Sequence, residues 1–352
     1  MTRDPNGARR LCLALVVFGL AAGVAVTAAP AAPSTGLERL QAQIARAATA
    51  AHGTVGIAIK HLESGAELYI NADEPFPMAS TFKLPVLVEL YAKAKAGTLS
   101  WDELIDIGPL DQHLGSGELA PQFDPPGIKL SLHNVANLMM LVSDNSAADI
   151  CLAKAGAADV NARLAALGIK GIRVDRPCQE LILDYQGADT AKLKNLTLKE
   201  IREATPRTGP RTEEATWAAD DKYAADPRDT ATPRAFVALL EKIWRGEAVD
   251  RASSDAILET MKRCTTGAAR IKGMLPRNVE VAHKTGSMGG VLDDVGIVYL
   301  PDNTGHVAIA IMTKRTRAAS EQVEKAIAEI ARFAFDYFYF TAAMTTTDAA
   351  GR

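Results

Sequence analysis

Cysteine is scarce in this chain, with four in 352 residues. Cys12 sits in an apolar N-terminal run, which leaves Cys151, Cys178 and Cys264; an odd number cannot all pair within one chain. Their scatter also offers no metal-binding cluster. The six histidines show no H-x-x-x-H or H-x-x-E-H spacing, so neither a metal nor a cofactor is implied. Like charges form no block and the net charge is only -3, which gives no reason to expect a nucleic-acid partner. Internal repeats are absent. The longest apolar run, Leu11 to Val26, is short for a membrane span.

What remains is an ordinary globular composition, 48% hydrophobic and 23% charged, enough for one large domain or two. Arg3, Arg9 and Arg10 precede "LCLALVVFGLAAGVAV", and "TAAPAAP" follows. This order of basic, apolar and small residues reads as a signal peptide over 1–29, hence an exported, periplasmic or secreted protein with no stable span after cleavage.

Helical apolar spacing covers 36–52, and "TVGIAIKHLESGAELYIN" alternates on both sides of Ser64-Gly65 as a hairpin does. Ser80 to Ala96 reads as a helix stopped by Gly97. The helical pattern from Ser131 to Gly168 breaks near Ser143-Asp144-Asn145. Thr232-Pro233 starts another helix and Gly246 ends it. Three strands then follow, "VEVAHKTGS", "DDVGIVYLP" and "HVAIAIMTK", and an amphipathic helix from about Ala319 to Tyr339. The polar tail 341–352 is expected to be disordered. This order predicts an α+β fold. One antiparallel sheet of five strands comes from both chain ends, about 37–79 and 265–340, with an all-helical block over about 80–264 inserted between them.

Ser80 and Lys83 in "PMASTFKLPVL" stand at i and i+3, one face of a helical turn, so hydroxyl and amine can meet. A serine hydroxyl becomes nucleophilic when a neighbour takes its proton, and a lysine can take it once burial lowers its pKa. Taken alone, S-x-x-K is more often an idle helix start. "LVSDNSAAD" breaks two apolar helices, which would turn Ser143 and Asn145 into a cleft; the plainer alternative is helix capping. "AHKTGSMGG" puts Lys284, Thr285 and Ser287 on a strand around Gly286, and a strand glycine marks close approach of a backbone or ligand.

S-x-x-K, S-D-N and K-T-G in this order resemble the signature of class A serine β-lactamases and penicillin-binding proteins. The likeness spans about residues 37–340, with "RDTATPRA" and "TTGAARIKGMLP" in support. It implies that Ser80 attacks the amide carbonyl, Lys83 takes its proton, and Ser143, helped by Lys284, relays a proton to the leaving nitrogen. Asn145, Thr285 and Ser287 would hold the substrate, with the oxyanion facing the N–H groups of Ser80 and Ser287. Arg270 would attract the substrate carboxylate, because the strand after K-T-G carries no arginine. The substrate implied is a small-molecule β-lactam or a peptidoglycan stem peptide, and the protein a monomer.

The pattern fails in one place. The family's R-x-E-x-x-L-N-like motif, on an Ω-shaped loop, corresponds here to "VDRPCQELIL". Cys178 stands where the water-activating glutamate belongs, Ile182 replaces the asparagine, and Asp149 replaces the residue that contacts that glutamate. The chain between Ser143 and Lys284 is also longer than in the family. Pairing Arg176 with Asp229 at the loop's base puts the excess at about 182–228, where Thr197 to Glu200 forms a capping box. Glu180, or Glu200 or Glu203 from the insertion, would then be the base, or there is none. Cys178 would be structural, paired with Cys151 or Cys264. The leading expectation is a serine β-lactamase-type hydrolase acting through acyl-Ser80. The alternatives are a D,D-peptidase or slowly deacylating penicillin-binding protein, and a non-catalytic sensor domain.

Overall fold

A computed structural model of the chain describes residues 35–124, 127–206 and 211–350. The expected signal segment 1–29, with Cys12, lies outside the described residues. Helix α1 (Gly36–Ala48) leads into strands β1 (Thr54–His61), β2 (Glu67–Ile70) and the short β3 (Phe76–Pro77). Then come α2 (Lys83–Lys95), β4 (Leu104–Ile107), α3 (Leu119–Gln122), β5 (Ile128–Ser131), α4 (Leu132–Leu141), α5 (Asn145–Ala155) and α6 (Ala157–Ala166). The enlarged loop region holds α7 (Cys178–Gln186), α8 (Thr190–Leu193), α9 (Leu198–Ala204) and α10 (Glu213–Ala225). The chain closes with β6 (Thr230–Ala231), α11 (Pro233–Arg245), α12 (Arg251–Lys262), β7 (Val281–Met288), β8 (Val291–Tyr299), β9 (His306–Lys314) and α13 (Ser320–Ala350).

The main sheet has the order β2-β1-β9-β8-β7, antiparallel throughout. Side-chain alternation along its strands builds two cores at once. Ile57, Ile59, Ile309 and Ile311 face α1 and α13, whereas Ala58, Ala308, Ala310 and Met312 face the helical block. Helix α2 is buried on nearly all sides, which is why its sequence is apolar around its circumference. Local signals end the elements as expected: Ser131 caps α4, Thr197 and Glu200 form the capping box of α9, and Gly246 closes α11 at φ 78°.

Two expectations change. The turn carrying Ser80 is a 3₁₀ turn over Ala79–Phe82, with the α-helix beginning only at Lys83. Helix α13 continues to Ala350, through most of the tail expected to be disordered. No glycine or proline interrupts it from Ser320 onward.

Candidate active site

The chain reaches Ser80 through a constrained corner. Ala79 adopts φ 41°, a left-handed conformation that costs a residue with a Cβ about 1–2 kcal/mol. Its N–H donates to Tyr223 Oη at 3.2 Å, Met78 N–H donates to Asp229 O at 2.9 Å, and Thr81 Oγ1 donates to Met78 O at 2.7 Å. Strand β7 lies directly against this corner. A Cβ on Gly286 would stand 2.6 Å from Met78 O and 3.1 Å from Ser80 N, so only glycine permits the approach.

Lys83, one turn beyond Ser80, is fully buried. Its Nζ donates to Ser143 O at 2.7 Å and Asn145 Oδ1 at 2.8 Å, and lies 3.1 Å from Ser143 Oγ. Lys284 Nζ reaches the same hydroxyl from the opposite side at 3.0 Å and donates to Thr285 O at 2.9 Å. Burial pushes Lys83 below its ordinary value, against the pull of Asp149 and Asp144. Burial and then the positive charge of Lys83 bring Lys284 down to about 7. All three contacts of Lys83 Nζ lead to Ser143 and Asn145.

Ser143 sits at φ 59° between α4 and α5, so the helix break faces the cleft. Asp144 is structural: it caps α5 at Ala147 N and takes the N–H groups of Glu118 and Leu119. Ser116 was not singled out from the sequence, yet it lines the cleft. Its Oγ donates to Ser143 O at 2.9 Å, and its carbonyl accepts from Asn145 N at 2.9 Å. The signal was "LGSG": Gly115 at φ 99° and Gly117 at φ 128° let that loop pack on Asn145 and Asp144.

On the β7 side, Thr285 Oγ1 pairs with Thr266 Oγ1 at 2.6 Å. Arg270 lines the cleft but is largely committed. Its guanidinium donates to Gly286 O at 2.9 Å, Asp293 O at 2.8 Å and Ser287 Oγ at 2.7 Å, and pairs with Glu324 at 3.1 Å.

Arg176 holds the base of the loop with three carboxylates: Asp184 at 2.5 Å, Asp226 at 3.0 Å and Asp229 at 2.6 Å. Asp149 receives the next turn. It accepts from Cys178 N at 2.5 Å, Gln179 N at 3.0 Å and His113 Nδ1 at 2.5 Å, the anionic cap an N-terminus favours. Cys178 is buried in the cleft wall, and burial raises its thiol pKa far above the ordinary value. It pairs with neither Cys151 nor Cys264; all three are free and buried.

Glu180 points elsewhere. Two positions along a helix turn a side chain by about 200°, and Glu180 meets Lys194 at 3.4 Å outside the cleft lining. Glu200 is spent on Thr197 as a cap, and Glu203 is exposed. Among the described residues, no aspartate or glutamate lines the cleft.

The cleft measures about 980 Å³. Tyr185, Thr205, Pro206, Arg211 and Thr216, from the segment over about 182–228, line it. Helix α10 is fastened by buried Asp220, which accepts from Tyr185 Oη at 2.8 Å and Gly290 N at 2.9 Å. The excess chain length marked this segment in the sequence, but not which of its residues face the cleft. Among the described residues, no group of side chains is arranged to hold a metal ion, and no helix is long and apolar enough to cross a membrane.

Comparison with known proteins covers the same span. Residues 39–338 match the family described as the beta-lactamase enzyme family. Beta-lactamase VEB-1 of Pseudomonas aeruginosa is 27% identical over 310 residues, 86% of this chain and 91% of that protein. The crystal structure of a beta-lactamase from Chitinophaga pinensis DSM 2588 has a TM-score of 0.65 at 28% identity, covering 85% of this chain and 98% of the other. A PBP-A mutant in an acyl-enzyme complex with penicillin G has a TM-score of 0.66 at 26% identity, over 86% and 97%. With the match running from α1 to α13 and the five-stranded sheet in place, this chain belongs to the beta-lactamase enzyme family.

Proposed function

We propose that this protein is a serine β-lactamase-type hydrolase that opens the β-lactam amide through an acyl-Ser80 intermediate. The observation that carries this is one hydroxyl, Ser143 Oγ, held between two buried amines at 3.1 and 3.0 Å in the cleft that Ser80 lines. Ser80 Oγ attacks the carbonyl as Lys83 accepts its proton. The oxyanion lies against the N–H groups of Ser80 and Ser287. Ser143 passes its proton to the ring nitrogen as the C–N bond breaks and takes one back from Lys83 Nζ, 3.1 Å away, while Lys284 keeps that hydroxyl polarised. Asn145 binds the acyl side-chain amide. Thr285 and Ser287 receive the substrate carboxylate in the field of Arg270. Arg176 and Asp229 fix the loop that closes the site.

Hydrolysis of the ester then needs an activated water, and the cleft lining offers no carboxylate to activate it. That favours slow deacylation as the step that limits turnover. The N-terminal pattern supports export to the periplasm or medium, with the sheet and the helical block as two halves of one monomeric catalytic domain.

Mixing the protein with a chromogenic cephalosporin while following colour and intact mass tests this reading. Colour release with an adduct on Ser80 is expected, both lost in Ser80→Ala. No colour and no adduct would refute it.

A further inference from the structure

We infer that Arg211, supplied by the insertion, forms a subsite for a carboxylate on the acyl side chain of the substrate; this rests on the proposed β-lactam-opening function. The cleft has two cations in its lining and, among the described residues, no acid. Arg270 already satisfies Glu324, two carbonyls and Ser287. Arg211 has no such partner. Among the described residues it makes no ion pair; it donates to Gln186 O at 3.2 Å, hydrogen-bonds the Tyr185 hydroxyl and lies 5.4 Å from the Tyr185 ring centre. These contacts orient a planar guanidinium along the wall and leave donors for a carboxylate, which arginine binds in a two-pronged geometry. Gly187, Ala188, Thr205 and Thr216 line the same cleft with small side chains, which leaves room for an acyl group.

The anion recognised here is distinct from the ring carboxylate expected at Thr285 and Ser287. A β-lactam with a second, side-chain carboxylate therefore suits a cleft lined by two arginines.

Benzylpenicillin and its α-carboxy derivative differ by that one carboxylate. Second-order acylation rates for both, read by intact mass, give a ratio in which events at Ser80 cancel. The wild-type protein is expected to favour the carboxylated compound about tenfold, as one charge-assisted contact would give. Arg211→Gln should bring the ratio near one, Arg211→Lys should retain part of it, and salt should compress it only where the cation remains. A wild-type ratio near one, or a ratio unaltered in Arg211→Gln, overturns the subsite. Failure of both compounds to acylate Ser80 overturns the function beneath it instead.

Discussion

Replacing Cys178 by glutamate, together with Asp149→Asn, is expected to turn a slowly released acyl-enzyme into a cycling one. Cys178 opens α7, faces the cleft and has no acid beside it in the lining. Its N–H and that of Gln179 are held by the Asp149 carboxylate at 2.5 and 3.0 Å. A glutamate at 178 alone would meet that carboxylate, and two like charges about 4 Å apart repel by roughly 4 kcal/mol at an effective dielectric of 20. Cys178→Glu alone should therefore lose thermal stability or hold its new carboxyl protonated, and gain little. Asparagine at 149 removes the repulsion while its amide oxygen still accepts from the α7 N-terminus. A positioned general base then contributes about 10²–10⁴-fold to deacylation. The assay is decay of the acyl-Ser80 mass after a pulse of penicillin G. Wild-type acyl-enzyme that decays as fast as the double variant, with that variant folded and acylating normally, would refute the reasoning.

Three further outcomes are expected. Burial and the charge of Lys83 bring Lys284 down to about 7 in the fold from its ordinary 10.5, so the unfolded chain binds more protons between those limits and stability rises with pH there. Lys284→Met should be more stable than wild type below pH 7, by up to roughly 5 kcal/mol, and lose that advantage towards pH 10 in urea titrations. Arg176→Met strands Asp229, which is 1% exposed, and should cost about 3–5 kcal/mol in the same titrations. Gly286→Ala places a Cβ 2.6 Å from Met78 O and should slow acylation of Ser80 more than tenfold through the displaced corner, with far-ultraviolet circular dichroism unchanged.

The sheet was legible because it rests on short-range pattern; Lys83, Ser143 and Lys284 stand 60 and 141 positions apart, and only the three short motifs that carry them were readable in the sequence. Alternation fixed the two faces of β1 and β9, and caps at Ser131, Thr197 and Thr232 marked helix starts. Other features depend on long-range contact. Helix α10 buries only Asp220 and Tyr223, so its docking leaves no apolar stripe to read. Tyr223 braces the corner before Ser80 from 144 positions away, a relation no local pattern carries. Glu180 is near Cys178 in sequence, whereas helical geometry turns it towards Lys194. Ser116 hides in a loop whose glycines announce a tight approach but not its target.

The most direct test of the account is to locate the covalent bond. After incubation with penicillin G, peptide mass mapping should find the penicilloyl group on the peptide bearing Ser80, and none in Ser80→Ala. An adduct on another residue, or an unmodified chain after prolonged exposure, would contradict the claim that Ser80 is the nucleophile that Lys83 activates.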